Sequence, residues 1–116
     1  NAILGHYQAE SATRFIAQEL YFRDDGVCEM KQWAAKEDIT SNWKVEKNGK
    51  YREVIVTMQK KAGGQYPTFF LRILDASLPW KHGGLMFVAY GGTDADGKIE
   101  RIDVPQDEFF RFGKTL

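Results

Sequence analysis

Short apolar runs separated by turn residues repeat about every ten positions along the chain. The clearest run covers residues 51–59, where Val54, Val56 and Met58 alternate with other residues at the period of two that a β-strand with one buried face requires. The predicted strands are residues 4–9, 14–22, 27–33, 43–46, 51–59, 68–74, 85–90, 98–104 and 108–112. The pattern therefore predicts eight or nine short strands.

Tight turns separate these runs. Asp24-Asp25-Gly26 is typical of a hairpin turn, and Asn48-Gly49 is the pair favoured in two-residue hairpins. Only residues 34–38 and 78–82 are expected to form loops or single helical turns, and no amphipathic helix of ordinary length is predicted. A sheet of this size must close into a barrel or fold into a sandwich, and consecutive hairpins favour an all-β, antiparallel up-and-down barrel.

Composition limits the classes of function. The chain has 116 residues, 16 basic against 16 acidic side chains and 43% hydrophobic residues, which is typical of a folded single domain. Zero formal net charge argues against a general nucleic-acid or anionic-membrane binder. The single cysteine, Cys28, excludes an internal disulfide and a cysteine-rich zinc cluster. No apolar run is long enough to predict a membrane-spanning helix.

The first two residues, Asn1-Ala2, are typical of the remnant that a protease-removed purification tag leaves behind. The alternative is a native interior fragment. On the first interpretation a segment was removed upstream, and a signal peptide is the commonest such segment. We therefore expect one domain over residues 3–116 in an exported protein, periplasmic or secreted, with a lipid anchor as one form of the full-length chain.

Three short motifs resemble the small lipocalin-like barrels of bacterial envelope proteins. They are the Gly5-His6-Tyr7 start of the first strand, the Asp-Asp-Gly hairpin, and Asn42-Trp43-Lys44-Val45 ahead of another hairpin. The first is similar to the Gly-x-Trp start of lipocalins, with tyrosine in place of tryptophan. The resemblance implies that Tyr7 closes the barrel floor beneath an arginine, for which Arg111 is the nearest candidate through a cation–π contact. It implies a fold and a ligand cavity, not an activity.

The chain has more aromatic residues than the packing of a barrel floor requires. They include Trp33, Trp43, Trp80, Tyr66, Phe69, Phe70 and Phe87. One interpretation is that they fill the core, since aromatics suit strands. The other is that some line a cavity. On the second interpretation the protein holds a small apolar ligand inside the barrel. The predicted ligand contacts are Tyr7, Trp43, Phe69, Phe87 and His82.

The segment 78–84 supports a different class of function, a protein–protein module such as an inhibitor, an immunity protein or an envelope-stress lipoprotein. It combines Trp80 with Lys81 and His82 between Pro79 and Gly83-Gly84. Tryptophan and basic residues in one exposed loop are typical interface anchors. The predicted partner contacts are therefore Trp80 and Lys81.

Two further motifs are better explained by strands and turns. Residues 92–103 resemble part of a calcium-binding EF-hand loop, but Gly92 occupies the first ligand position and both flanks are β-like, so a hairpin is the better interpretation. Residues 84–90 overlap with an RNA-recognition strand, but that fold also needs two amphipathic helices. No nucleic-acid partner is predicted.

Catalytic chemistry has no motif in the sequence. None of the three serines lies in a nucleophile-elbow context, and no glycine-rich phosphate loop is present. Cys28 alternates with Met30 and is predicted to be a small buried hydrophobe. His6 and His82 lack metal-ligand spacing. We therefore predict no catalytic residue, no metal and no cofactor, and an enzyme is the least supported alternative.

Overall fold

Nine antiparallel strands account for most of the residues that the computed structural model describes, which are 3–10, 17–32, 37–75 and 82–115. The strands are β1 (Gly5–Ala9), β2 (Glu19–Phe22), β3 (Val27–Lys31), β4 (Ile39–Asn48), β5 (Tyr51–Met58), β6 (Tyr66–Leu74), β7 (Gly84–Thr93), β8 (Ile99–Asp103) and β9 (Phe110–Lys114). A short 3-10 turn, Gln106–Glu108, separates the last two strands. No helix in these ranges is long and apolar enough to cross a membrane.

Eight of the strands close into a barrel. Each strand from β1 to β7 pairs antiparallel with its successor, and β9 pairs with both β7 and β1. The predicted all-β up-and-down barrel is therefore confirmed. β8 is an extra strand, paired with the half of β7 from Ala89 to Thr93, whereas β9 pairs with Gly84–Phe87 of the same strand.

Two hairpins form where the local chemistry predicts them. Gly26 and Gly49 have φ angles of 82° and 60°, a conformation in which a side chain would be strained. In the first hairpin the Asp25 carboxylate also accepts a hydrogen bond from the Val27 amide at 3.1 Å. These turns set the β2–β3 and β4–β5 registers, and both lie at the same end of the barrel.

The barrel interior is filled by its own side chains. Its largest fully buried residues are Phe22, Phe112, Leu20, Met30, Leu71 and Leu85. Cys28 is also fully buried, as the alternation with Met30 predicts. Tyr7 packs edge-on to Phe22, which packs edge-on to Trp43, with ring centroids 5.4 and 5.6 Å apart.

A second, smaller apolar cluster lies on the outer face of the barrel, and the sequence pattern did not indicate it. Its buried members are Ile55, Phe70, Val88 and Ala89, with Ile99 and Phe109 packed against them. A register irregularity between Phe70 and Leu71 interrupts the β6–β7 pair. β8 and the turn that follows it thus cover the outer faces of β5 and β6.

Most of the observed strand limits differ from the predicted ones, and two of the differences have a clear structural reason. The strand predicted over residues 43–46 extends over Ile39–Asn48, because its first half pairs with β3. The strand predicted over 108–112 begins only at Phe110, because the 3-10 turn occupies Gln106–Glu108. Most of the two predicted loops, and the first part of the strand predicted over 14–22, lie outside the described residues.

Candidate ligand-binding site

Two adjoining cavities lie at the end of the barrel where β1 begins and β6 ends. The first, which we call the mouth, has a volume of about 170 Å³ and is lined by Ile3, Tyr7, Arg52, Ile73, Leu74, Asp75, His82, Gly83 and Gly84. The second, which we call the groove, has a volume of about 460 Å³ and is lined by Lys50, Tyr51, Arg52, Arg72, Ile73, Leu74 and Asp75. Four residues, Arg52, Ile73, Leu74 and Asp75, line both cavities, so the two lie next to each other.

Apolar residues and one phenol line the inner side of the mouth. The hydroxyl of Tyr7 donates a hydrogen bond to the Ile3 carbonyl at 3.0 Å, and both residues are buried. Burial raises the pKa of Tyr7 to about 12, so the phenol is neutral at physiological pH. Ile73 and Leu74, at the end of β6, supply further apolar wall. The inner side of the mouth therefore suits an uncharged, apolar group, whereas Arg52, Asp75 and His82 also line the cavity.

The cation over the Tyr7 ring is Lys114 and not Arg111. The Lys114 ammonium lies 5.8 Å from the Tyr7 ring centroid, and the two residues are opposite each other in the β1–β9 pair. Phe110 and Phe112 pack on the interior core, so Arg111 between them faces outward and is exposed. The expectation for Arg111 was wrong because strand alternation places it on the other face.

The groove is basic. The Arg72 guanidinium carbon lies 3.8 Å and the Lys50 ammonium 5.2 Å from the centroid of the Tyr51 ring. The Nε atom of Arg72 is buried and has no hydrogen-bond partner. Within the described part of the chain, no carboxylate forms an ion pair with Lys50, Arg52 or Arg72. Among the described residues that line the groove, Asp75 is the only acidic one.

Of the predicted ligand contacts, the structure brings Tyr7 and His82 together in the mouth. Trp43, Phe69 and Phe87 line neither cavity. The indole of Trp43 donates to the Arg23 carbonyl at 3.0 Å, and Phe87 stacks on Phe110 with centroids 5.1 Å apart. All three pack against the interior core. For these three residues the core-filling interpretation fits the structure.

The predicted partner contacts, Trp80 and Lys81, lie outside the described residues. Their role in binding another protein stays a prediction. Residues that the sequence analysis missed are Lys50, Arg52 and Arg72. The signal for them was a cation–aromatic–cation run directly after the Asn-Gly turn, together with an arginine inside an otherwise apolar strand.

The remaining reactive groups are held by structural contacts. The Nδ1 atom of His6 lies 2.6 Å from the Thr115 hydroxyl, and its Nε2 atom lies 2.7 Å from the Glu19 carboxylate. The Thr115 hydroxyl also donates a hydrogen bond to the backbone carbonyl of His6. The contact joins β1 to β2 and to the chain after β9. Burial raises the pKa of the Cys28 thiol to about 12, which disfavours a nucleophilic thiolate. Among the described residues, no group of three His, Cys, Asp or Glu side chains is placed to hold a metal ion.

The chain matches no protein-family model, and comparisons with curated proteins and with solved structures found no match.

Proposed function

We propose that the protein is a small lipocalin-like binding protein that holds the apolar part of a small ligand in the mouth. The observation that carries the proposal is the mouth itself, in which Ile3, Ile73 and Leu74 lie beside the neutral phenol of Tyr7. Binding sites for small molecules combine such apolar walls with a few polar groups. We further propose that the protein is exported, which the resemblance to small barrels of bacterial envelope proteins supports.

The size of the mouth limits the ligand. Its volume of about 170 Å³ corresponds to about six water molecules at roughly 30 Å³ each. Side chains such as Leu20, Phe22 and Phe112 fill the barrel beyond it. The apolar part of the ligand is therefore short and binds at the end of the barrel, in contrast to the enclosed ligands of wider barrels.

Native mass spectrometry of the protein purified from cells tests the proposal directly, because a retained ligand adds its mass to that of the chain. A second measurement uses the fluorescence of N-phenyl-1-naphthylamine, a small uncharged probe with an apolar ring system. We expect saturable binding of the probe to the native protein. If the protein retains no added mass and shows no saturable probe binding, the proposal is wrong.

A pair of variants locates the binding. Leu74 lines both cavities, so Leu74→Trp places a large ring where the ligand binds and should reduce probe binding at least tenfold. Ile102 lies on β8, is 53% exposed and lines neither cavity, so Ile102→Trp is the matched control. Unchanged binding in Leu74→Trp, with an unchanged melting temperature, would place the probe elsewhere.

A further inference from the structure

The cations of the groove are not explained by the stability of the sheet. Lys47 and Arg52 face each other directly in the β4–β5 pair, where like charges are destabilising. The Lys50 ammonium and the Arg72 guanidinium both lie over the aromatic ring of Tyr51. Among the described residues, the groove thus gathers three cations, Lys50, Arg52 and Arg72, that form no ion pair with a carboxylate.

The Arg72 side chain is held in place, but its Nε–H has no acceptor among the described residues. Its guanidinium stacks on Tyr51, with the Phe109 ring 5.7 Å away. Glu53 is directly opposite Arg72 in the β5–β6 pair, but both of its carboxylate oxygens accept hydrogen bonds from Arg101, at 2.6 and 2.9 Å. The buried Nε–H of Arg72 therefore remains unsatisfied in the protein. A buried donor of this kind is stabilised when a ligand supplies the acceptor.

We propose that the groove binds the acidic head group, a carboxylate or a phosphate, of a ligand whose short apolar part occupies the mouth. The inference rests on the proposed function and names its ligand class, a small amphipathic anion. Arg52 lines both cavities, so it lies at the junction between head group and apolar part. Arginine side chains recognise carboxylate and phosphate through paired, charge-assisted hydrogen bonds. The carboxylate of Asp75, which also lines both cavities, disfavours a second negative charge close to the mouth.

The test compares three ligands of equal chain length by isothermal titration calorimetry: hexanoate, hexyl phosphate and the neutral hexanol. We expect at least one of the two anions to bind at least tenfold more tightly than hexanol at low salt, and the difference to shrink at high salt because the charges are partly exposed. Tighter binding of hexanoate identifies a carboxylate ligand, and tighter binding of hexyl phosphate a phosphate ester. Equal binding of all three overturns the acidic head group while the proposed function stands.

Inorganic phosphate has no apolar part, so it tests the anion site of the groove independently of the apolar mouth. If it binds with the same dependence on the groove as the amphipathic anions while hexanol and the fluorescent probe do not bind, the anion site stands and the apolar mouth fails. If neither anion nor inorganic phosphate binds, the inference is wrong whatever the mouth binds.

Two lysines provide a matched pair of variants. Lys50→Gln removes one charge from the groove, whereas Lys60→Gln removes the same charge from an exposed position in the turn after β5, at the opposite end of the barrel. We expect Lys50→Gln to weaken binding of the preferred anion about threefold or more, and Arg52→Gln combined with Arg72→Gln to weaken it at least tenfold. Lys60→Gln should bind like the native protein. Equal losses in the two lysine variants would show a nonspecific charge effect and contradict the proposal.

Discussion

Two arginines lie near the Glu53 carboxylate on the outer face of the barrel, but only one of them forms hydrogen bonds with it. Arg101, on β8, donates to both oxygens of Glu53 at 2.6 and 2.9 Å and to Asp103 at 2.9 Å. Arg72, on β6, is directly opposite Glu53 in register but has a buried Nε–H without an acceptor. Both guanidinium groups lie over aromatic rings, Phe70 in one case and Tyr51 in the other.

Arg101 has a structural role, whereas Arg72 is the cation that we propose to bind a ligand. Glu53 is 3% exposed, so its charge needs a close partner, and Arg101 fills that role as β8 covers the outer cluster. The side-chain amide of Asn48 also lies 3.4 Å from both carboxylate oxygens. With Glu53 fully engaged, Arg72 is left to face the groove. The pairing of one arginine thus leaves the other able to bind a ligand.

The largest effect expected from a single substitution follows from Arg101→Met. This change leaves the Glu53 carboxylate buried without its partner, and breaking a buried ion pair from one side typically costs about 3–5 kcal/mol. Because Arg101 itself is 26% exposed, we expect the lower part of that range. Urea denaturation followed by tryptophan fluorescence measures the free energy of unfolding.

The matched control for this change is the double variant Glu53→Gln with Arg101→Met. It removes both charges, so it should recover most of the stability that the single variant loses. A single variant that loses less than about 1 kcal/mol would show that water or another cation replaces Arg101. The contrast between the two arginines would then be lost.

Alkaline pH should weaken the barrel interior while leaving the Arg101 ion pair intact. The hydrogen bond to Glu53 raises the pKa of Arg101 further above its ordinary value, so that cation stays charged. Burial raises the pKa of both Tyr7 and Cys28 to about 12, from 10.0 and 9.0. Each group ionises earlier in the unfolded chain, so stability is fully present below about pH 9 and is lost as pH rises towards 12.

The measurement is the free energy of unfolding at pH 8 and pH 11, with Tyr7→Phe combined with Cys28→Ala as the control variant. A pKa difference contributes up to about 1.4 kcal/mol per pH unit for each group, so a loss of about 2–4 kcal/mol is expected in the native sequence. The control variant lacks both ionisable groups and should lose much less. Equal losses in the two proteins would assign the alkaline sensitivity to other groups.

The fold was predictable where the signal is local. The alternation in β5 and the Asn48-Gly49 turn each depend on neighbouring residues, and together they indicate consecutive hairpins. The outer cluster, by contrast, forms where β8 pairs with β7, next to a register irregularity between β6 and β7 and a 3-10 turn between β8 and β9. Neither has a distinctive sequence pattern, so the outer cluster could not be predicted.

The site was predictable only in part. Tyr7, on β1, and His82, two residues before β7, both line the mouth because these two strands begin at the same end of the barrel. Trp43 and Phe87 fill the core instead, since the same apolar side chains suit a core and a cavity wall. The availability of Arg72 depends on how Glu53 pairs with a residue 48 positions away, and no local pattern contains that information.

The smallest expected effect, and the sharpest test of the comparison, follows from Arg72→Met. The change removes a cation–π contact worth about 0.5–1 kcal/mol at an exposed site, but it also removes a buried donor that has no acceptor. These contributions oppose each other, so the free energy of unfolding should change by less than about 1 kcal/mol. Urea denaturation of Arg72→Met beside Arg101→Met measures the difference between two variants with the same chemical change. A loss in Arg72→Met as large as that in Arg101→Met would show that both arginines stabilise the fold, and Arg72 would no longer be available to a ligand.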